Sequence, residues 1–149
     1  MLSTSCKYAL RSVVYIMSKA GSGLRLGIKE IADEIGANEH TTAKILGIMA
    51  KEGIIDSAKG PTGGFFIMPG GKPIYLIEVV KLIDGDHLFF ECGLGLHECT
   101  ENKPCPIHHS YKMVRETLHK QFCSITVQQL SQDLSLGKAF LKDELQSVK

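Results

Sequence analysis

The stretch Lys59-Gly60-Pro61-Thr62-Gly63-Gly64 lies between two short apolar runs, Ile54-Ile55-Asp56-Ser57 and Phe65-Phe66-Ile67-Met68. Its glycines and proline permit backbone angles that other residues resist, so the chain reverses here. Two strand-like runs joined by such a turn read as a β-hairpin. What precedes the turn narrows the fold further. Tyr8, Ala9, Val13, Ile16 and Met17 fall at helical spacing, as a helix that buries one face requires. Ser3, Thr4 or Ser5 can cap its start, and Gly21-Ser22-Gly23 ends it. Ile28, Ile31, Ala32 and Ile35 predict a second, short helix closed by Gly36. Asn38 is suited to cap a third, with Ile45, Leu46, Met49 and Ala50 facing inward and Lys51-Glu52-Gly53 at its end. Three helices followed by a hairpin is the winged helix-turn-helix order. The expected fold is mainly α with a small β-hairpin wing, followed by a long dimerisation helix.

That long helix comes from the second half. Pro73 opens a fourth helix expected over Ile74–Ile83, and Asp84-Gly85-Asp86 closes it. Residues 85–106 then read as irregular, a length uncommon in a compact domain unless something orders it. Beyond them Ile107, Tyr111, Val114, Leu118, Phe122 and Ile125 step by 4, 3, 4, 4 and 3 residues, an apolar seam close to coiled-coil spacing. Such a stripe predicts a homodimer. Thr126 can cap a further helix through Leu134, and Gly137 precedes a charged tail expected to fray. The expected organisation is a DNA-binding domain over 1–72, a cysteine loop with dimerisation helices over 73–134, and a tail over 135–149.

Size and composition agree with this plan. A chain of 149 residues buries about two-thirds of its unfolded surface, so it needs no disulfide framework. No apolar run approaches the ~20 residues of a membrane span. Met1-Leu2-Ser3-Thr4-Ser5-Cys6-Lys7 has no basic region leading into an apolar segment, so no secretory signal and no membrane association are expected, and the location is expected to be cytoplasmic. Residues 1–72 hold nine Lys/Arg against six Asp/Glu, whereas residues 73–149 hold eight against ten. The first half is thus the more cationic, as a nucleic-acid face would be.

The third helix begins Asn38-Glu39-His40-Thr41-Thr42-Ala43-Lys44. Asn38, Glu39, His40, Thr41, Thr42 and Lys44 are the side chains expected to meet base edges in a major groove of an operator duplex. At the hairpin tip Lys59, Gly60, Thr62 and Gly63 allow close approach of backbone to phosphate or to a minor groove.

The second constellation is Cys92, Cys99 and Cys105, with six and five residues between successive cysteines and two more before His108. Thiolates suit zinc and iron–sulfur clusters, and an imidazole can complete either set. Compact zinc modules pair cysteines across two-residue gaps. The wider gaps here favour a cluster, with zinc as the alternative. Gly, Glu, His, Asn and Lys surround these cysteines, a poor setting for a buried core.

Tyr8-Ala9-Leu10-Arg11, the Lys59–Phe65 wing, the three-cysteine loop and Ser124-Ile125-Thr126-Val127-Gln128-Gln129-Leu130 together resemble the IscR/NsrR-type bacterial transcription regulators. The resemblance spans roughly residues 1–134. It implies a homodimer joined by the helix after the cysteine loop, a winged helix at each end, and an iron–sulfur cluster as sensor; the type expected is 2Fe-2S rather than 4Fe-4S. It also implies the ligand set Cys92, Cys99, Cys105 and His108, as in the iron–sulfur-homeostasis members. The nitric-oxide-sensing members take an acidic residue just before the Tyr-Ala-Leu-Arg stretch of the partner subunit. Lys7 stands there, and an ammonium cannot ligate as a carboxylate does. The first gap, six residues, is one longer than the family's pattern.

Other residues carry blander expectations. His109 points about 100° from His108 on a helix and is expected at the surface. His97 is a reserve ligand, Cys6 and Cys123 are expected to be small packing residues, and Glu98 and Glu101 solvated charges. Gly93 and Gly95 are expected only to let the loop turn. No nucleophile, base and orienting residue fall together, and no phosphate-binding glycine loop is present, so no enzymatic activity is expected. The leading reading is a cluster-sensing DNA-binding repressor or activator. Its rival within the same fold senses by a thiol switch, zinc or a partner protein. A small electron carrier would have no use for the winged helix.

Overall fold

Ser3 starts the first helix by accepting the Cys6 N–H on its hydroxyl at 3.0 Å. This helix, α1, runs Thr4–Ser18 in a computed structural model that describes residues 1–144. Helix α2 (Ile28–Ile35) buries Ile31, Ala32 and Ile35 and ends on Gly36 at φ 68°, the left-handed conformation that glycine adopts without strain. Helix α3 (Glu39–Lys51) begins where Asn38 Oδ1 accepts the Thr41 N–H at 2.8 Å. These three starts and stops lie where the sequence predicts them.

The hairpin is shorter than expected. Strands β1 (Asp56–Ala58) and β2 (Gly64–Phe66) pair antiparallel with Ser57 opposite Phe65. Ile54 and Ile55 are not in it. Their N–H groups turn back to the Met49 carbonyl at the end of α3, and Ile55 drops into the core. The wing also has a third member. Leu26 exchanges both backbone hydrogen bonds with Phe65, each at 2.8 Å, so the connector between α1 and α2 closes one hairpin edge. Gly64 has to be glycine for this: a Cβ there would stand 2.7 Å from the Leu26 carbonyl oxygen.

Helix α4 (Leu76–Asp84) starts later than expected. Ile74 and Tyr75 are drawn into an extended pairing with residues 125–127, in which the Val127 N–H donates to the Ile74 carbonyl at 2.7 Å. Within the stretch expected to be irregular, His87–Phe90 form a one-turn helix, α5. Helix α6 (His108–Ser124) follows the cysteine loop, and α7 (Val127–Ser135) opens on a Thr126–Gln129 capping box.

The main core gathers Val13, Ile16, Ile31, Leu46 and Met49 together with Leu76, Val79 and Val127, so it runs across residue 72. A smaller cluster of Cys6, Val80 and Phe89 lies beside it, covered by Leu118 and Phe122 of α6. This corrects the seam expected on α6. Leu118 and Phe122 pack within the chain, whereas Val114 and Met113 are 63% and 69% exposed. The tail is also more ordered than expected: Leu141 packs on the core and Lys142 Nζ donates to the Asp33 carbonyl at 2.8 Å. Residues 145–149 of that tail lie outside the described residues.

Candidate functional site

The first candidate surface is the start of α3 with the hairpin tip. Asn38, Glu39, His40 and Lys44 are exposed and Thr41 partly so. Thr42 does not belong with them. It is 0% exposed, and its hydroxyl donates to the Asn38 carbonyl at 2.8 Å. The helix period turns position 42 onto the face that carries Ile45, Leu46 and Met49, so Thr42 braces the first turn of α3 from inside. At the wing, Lys59, Gly60 and Thr62 are exposed, whereas Gly63 is half-buried. A Cβ on Gly63 would stand 2.2 Å from the Ala58 carbonyl oxygen, so its role is to close the turn.

Arg25 also belongs to this surface and carries no signal of its own in the sequence. It is exposed, and its guanidinium lies 5.2 Å from the Phe66 ring centroid at the base of the wing. The Leu26–Phe65 bridge brings it there.

The second candidate site is built where the loop folds onto the first turns of α6. Cys92, Cys99 and Cys105 place their sulfurs within 4.8 Å of one another. Cys92 Sγ and Cys105 Sγ are 3.6 Å apart, and all the cysteines are free thiols. The His108 ring turns Nδ1 to Cys99 Sγ at 3.1 Å. Cys99 Sγ also accepts the Cys105 N–H, and Cys92 Sγ accepts the Leu94 N–H, each at 3.4 Å. Backbone N–H groups of Leu96 and then Leu94 draw the Cys92 thiol down to about 7, because a hydrogen-bonded thiolate is favoured. Desolvation pushes the Cys105 thiol up. The loop thus brings together all four residues expected as ligands.

Helix α6 holds the loop in place along one face. Arg115 Nη1 donates to the Phe90 carbonyl at 2.7 Å and also to that of Glu91, directly before Cys92. Tyr111 and Ile107 close over Gly93, where a Cβ would meet the Tyr111 ring at 2.8 Å. Gly93 therefore admits the Tyr111 ring, which is more than the turning role expected of it. Glu101 is likewise no free charge. Its carboxylate pairs with Lys112, lies 3.4 Å from His108 Nε2 and is held below the usual carboxylate range, foremost by Lys112 and then by His108. Sequence spacing alone gave no sign of Arg115 or Glu101, since their partners are backbone carbonyls and a residue on another turn.

The remaining histidines and cysteines divide. His97 and His109 are exposed, and Cys6 is fully buried as a packing residue. Burial, followed by the Asp84 charge, pushes the Cys6 thiol up to about 12. Cys123 departs from the packing role expected of it: it is exposed, 3.6 Å from His119 Nε2. Lys7 is exposed on α1.

The donor set suits a thiolate-bound metal or cluster. Three convergent thiols and an imidazole are soft and borderline ligands of the kind that hold iron–sulfur clusters or zinc. The 3.6 Å between Cys92 and Cys105 is close to the ~3.8 Å edge of a thiolate tetrahedron about one metal atom with bonds of about 2.3 Å.

Among the described residues no helix is long and apolar enough to cross a membrane. Residues 2–133 match the Rrf2 family, described as iron-dependent transcriptional regulators. The HTH-type transcriptional regulator NsrR of Geobacillus kaustophilus is 24% identical over 143 residues, covering 95% of this chain and 97% of its own length. The solved structure of CymR, the global cysteine regulator of B. subtilis, superimposes with a TM-score of 0.71 at 20% identity, over 93% of this chain and 98% of that one. That of T. potens IscR gives 0.69 at 17% identity, over 93% and 91%. These relatives are transcription regulators rather than enzymes, and they share the winged helix. With the family match spanning nearly all of the described chain, this protein belongs to the Rrf2 family and is a transcription regulator.

Proposed function

We propose that the protein is a homodimeric, cytoplasmic, operator-binding regulator whose DNA affinity is set by an iron–sulfur cluster, 2Fe-2S in type, held by Cys92, Cys99, Cys105 and His108. The observation that carries this reading is the convergence of three free thiols of one loop on His108 Nδ1 at the start of α6. A bound cluster would supply reversible redox chemistry and a dependence on iron supply. Leu96 and Leu94 stabilise the thiolate of Cys92 through their N–H groups, while Arg115 fixes the segment just before it. Residues 1–72 would contact the operator through Asn38, Glu39, His40, Thr41 and Lys44 in the major groove and through Lys59, Gly60 and Thr62 on the backbone, with Arg25 added. Residues 73–134 would sense and pair. Exposed Val114 and Met113 support pairing through α6.

A packed route joins the two functions. The loop is tied to α5, α5 places Phe89 against Cys6 and Val80, and Cys6 lies on α1, which packs on α3. Ordering the loop would bias this route, so cluster state would act on operator affinity by geometry.

Anaerobic isolation followed by an absorption spectrum and by iron and sulfide analysis tests the reading. Replacing Cys92, Cys99 or Cys105 with Ala should abolish the visible absorption, and His108→Ala should leave a labile or shifted cluster. Cys6→Ala and Cys123→Ala should leave it unchanged. Stoichiometric zinc without iron or sulfide would replace the cluster with a zinc site. The 3.6 Å approach of Cys92 to Cys105 favours one further reading, a thiol pair that peroxide oxidises to a disulfide with release of water. That reading requires operator binding to respond to peroxide and thiol reductant in metal-free protein.

A further inference from the structure

The His108 ring has two sides, and the three thiols account for only one. Nδ1 faces Cys99, whereas Nε2 faces away from it toward Glu101. The side chain is only 9% exposed, and Nε2 is buried without a hydrogen-bond partner among the described residues. Such an orphaned buried nitrogen asks for an explanation. Two oxygens and a second ring stand in front of it. Glu101 Oε1 lies 3.4 Å away, and Glu101 Oε2 lies 3.9 Å from His109 Nδ1. The two imidazoles meet edge to face, with centroids 5.1 Å apart.

In the tautomer with the ring proton on Nδ1, Cys99 Sγ accepts that proton as it accepts the Cys105 N–H. With the ring proton on Nδ1, Nε2 presents a lone pair to a carboxylate oxygen. Nε2 is then an acceptor facing an oxygen that Lys112 already serves, and a cation shared by Nε2 and the carboxylate would give the nitrogen its partner. Glu101, His108 and His109 each offer one ligand atom, and these atoms lie within 4.8 Å of one another. Ligands about 2.0–2.1 Å from a four-coordinate ion are separated by about 3.3–3.4 Å, close to the His108–Glu101 spacing. Two imidazoles and one carboxylate suit divalent first-row transition ions and leave positions open to water. Lys112 pairs with the same carboxylate and holds it in place.

We propose that Glu101, His108 and His109 form a second metal site, for a divalent first-row transition ion, on the opposite side of the His108 ring from the three thiols. When Nε2 holds the ion, Nδ1 keeps its proton on Cys99, the usual arrangement in which a ligating histidine donates its other N–H. Occupancy of this outer site then withholds His108 from any metal held by the thiols. That consequence rests on the ligand set proposed above, whereas the outer site itself does not.

Cobalt(II) titration of the metal-free full chain under anaerobic conditions tests the site. In a chain carrying Cys92→Ser, Cys99→Ser and Cys105→Ser, cobalt should still bind and show ligand-field bands without thiolate-to-cobalt charge transfer. Glu101→Gln or His109→Ala in that background should weaken binding by at least about tenfold. With all cysteines native, His109→Ala should remove the second cobalt equivalent and keep the charge-transfer band. Absence of cobalt from the serine chain, when its circular dichroism matches the native chain, would overturn the proposal. Should the serine chain misfold, equal cobalt stoichiometry in the native-cysteine chain with and without His109 would overturn it instead. The cluster reading is decided separately by iron and sulfide, so one can fail while the other stands.

Discussion

Asp84, the last residue of α4, accepts the backbone N–H of Ser3 at 2.8 Å and fastens the first turn of α1. The Ser3 hydroxyl binds the same carboxylate while it caps Cys6. The position just before the cysteine-bearing segment is thereby attached to the helix that packs on α3.

Asp84→Ala should therefore cost about 1 kcal/mol of unfolding free energy, the magnitude of a helix cap and its hydrogen bonds. Urea denaturation checks this. Asp86→Ala, which removes a nearby exposed charge that makes no cap hydrogen bond, should change stability much less.

Alkaline titration should expose the buried thiol of Cys6. Its folded value is pushed to about 12 from an ordinary 9.0, so the protonated form is favoured in the folded state. Its contribution is fully present below pH 9 and is lost as pH rises through about 12. Tyr15, pushed up to about 12 by burial and then by Glu30 and Glu34, acts in the same direction. Unfolding free energy should fall between pH 9 and 12, and Cys6→Ala should show a shallower fall. An identical slope in the variant would remove Cys6 from the explanation.

Neighbouring threonines on α3 should behave differently. Thr41→Ala should relax operator sequence preference with little change in stability. Thr42→Val should keep the preference but lose roughly 1 kcal/mol, since its buried hydroxyl loses the Asn38 carbonyl. Lys59→Ala and Arg25→Ala should each reduce the salt dependence of binding by about one unit of slope. Fluorescence anisotropy on the selected operator and on scrambled duplexes separates these effects.

On α6, Val114→Lys should give folded monomers. Leu118→Lys should instead lower the melting temperature, because Leu118 covers the small cluster of Cys6, Val80 and Phe89. Light scattering and thermal melts distinguish the two, and a native chain that scatters as a monomer at micromolar concentration would refute pairing.

Local chemistry was readable from the sequence and long-range pairing was not. Ser3, Gly36 and Asn38 announce helix ends because a cap depends on residues three or four positions away. The convergence of the cysteines was readable for the same reason, since one loop carries all of them. The late start of α4 was hidden, because Ile74 gives its carbonyl to Val127. Periodicity placed Leu118 and Val114 on one stripe, but only the position of α5 decides that Leu118 is covered and Val114 is not. Arg115 and Glu101 hold the site through a backbone carbonyl and a carboxylate contact, neither of which leaves a pattern in spacing.

The exchange of hydrogen bonds between Leu26 and Phe65 limits how the hairpin can be transplanted. A hairpin grafted into another scaffold without its connector would leave the N–H and carbonyl of Phe65 open at an unprotected edge, and Arg25 would lose its ring. The modular unit is therefore discontinuous: residues 25–26 and 56–66 have to travel together. A chimera that swaps the hairpin alone would inherit its sequence without its stiffness.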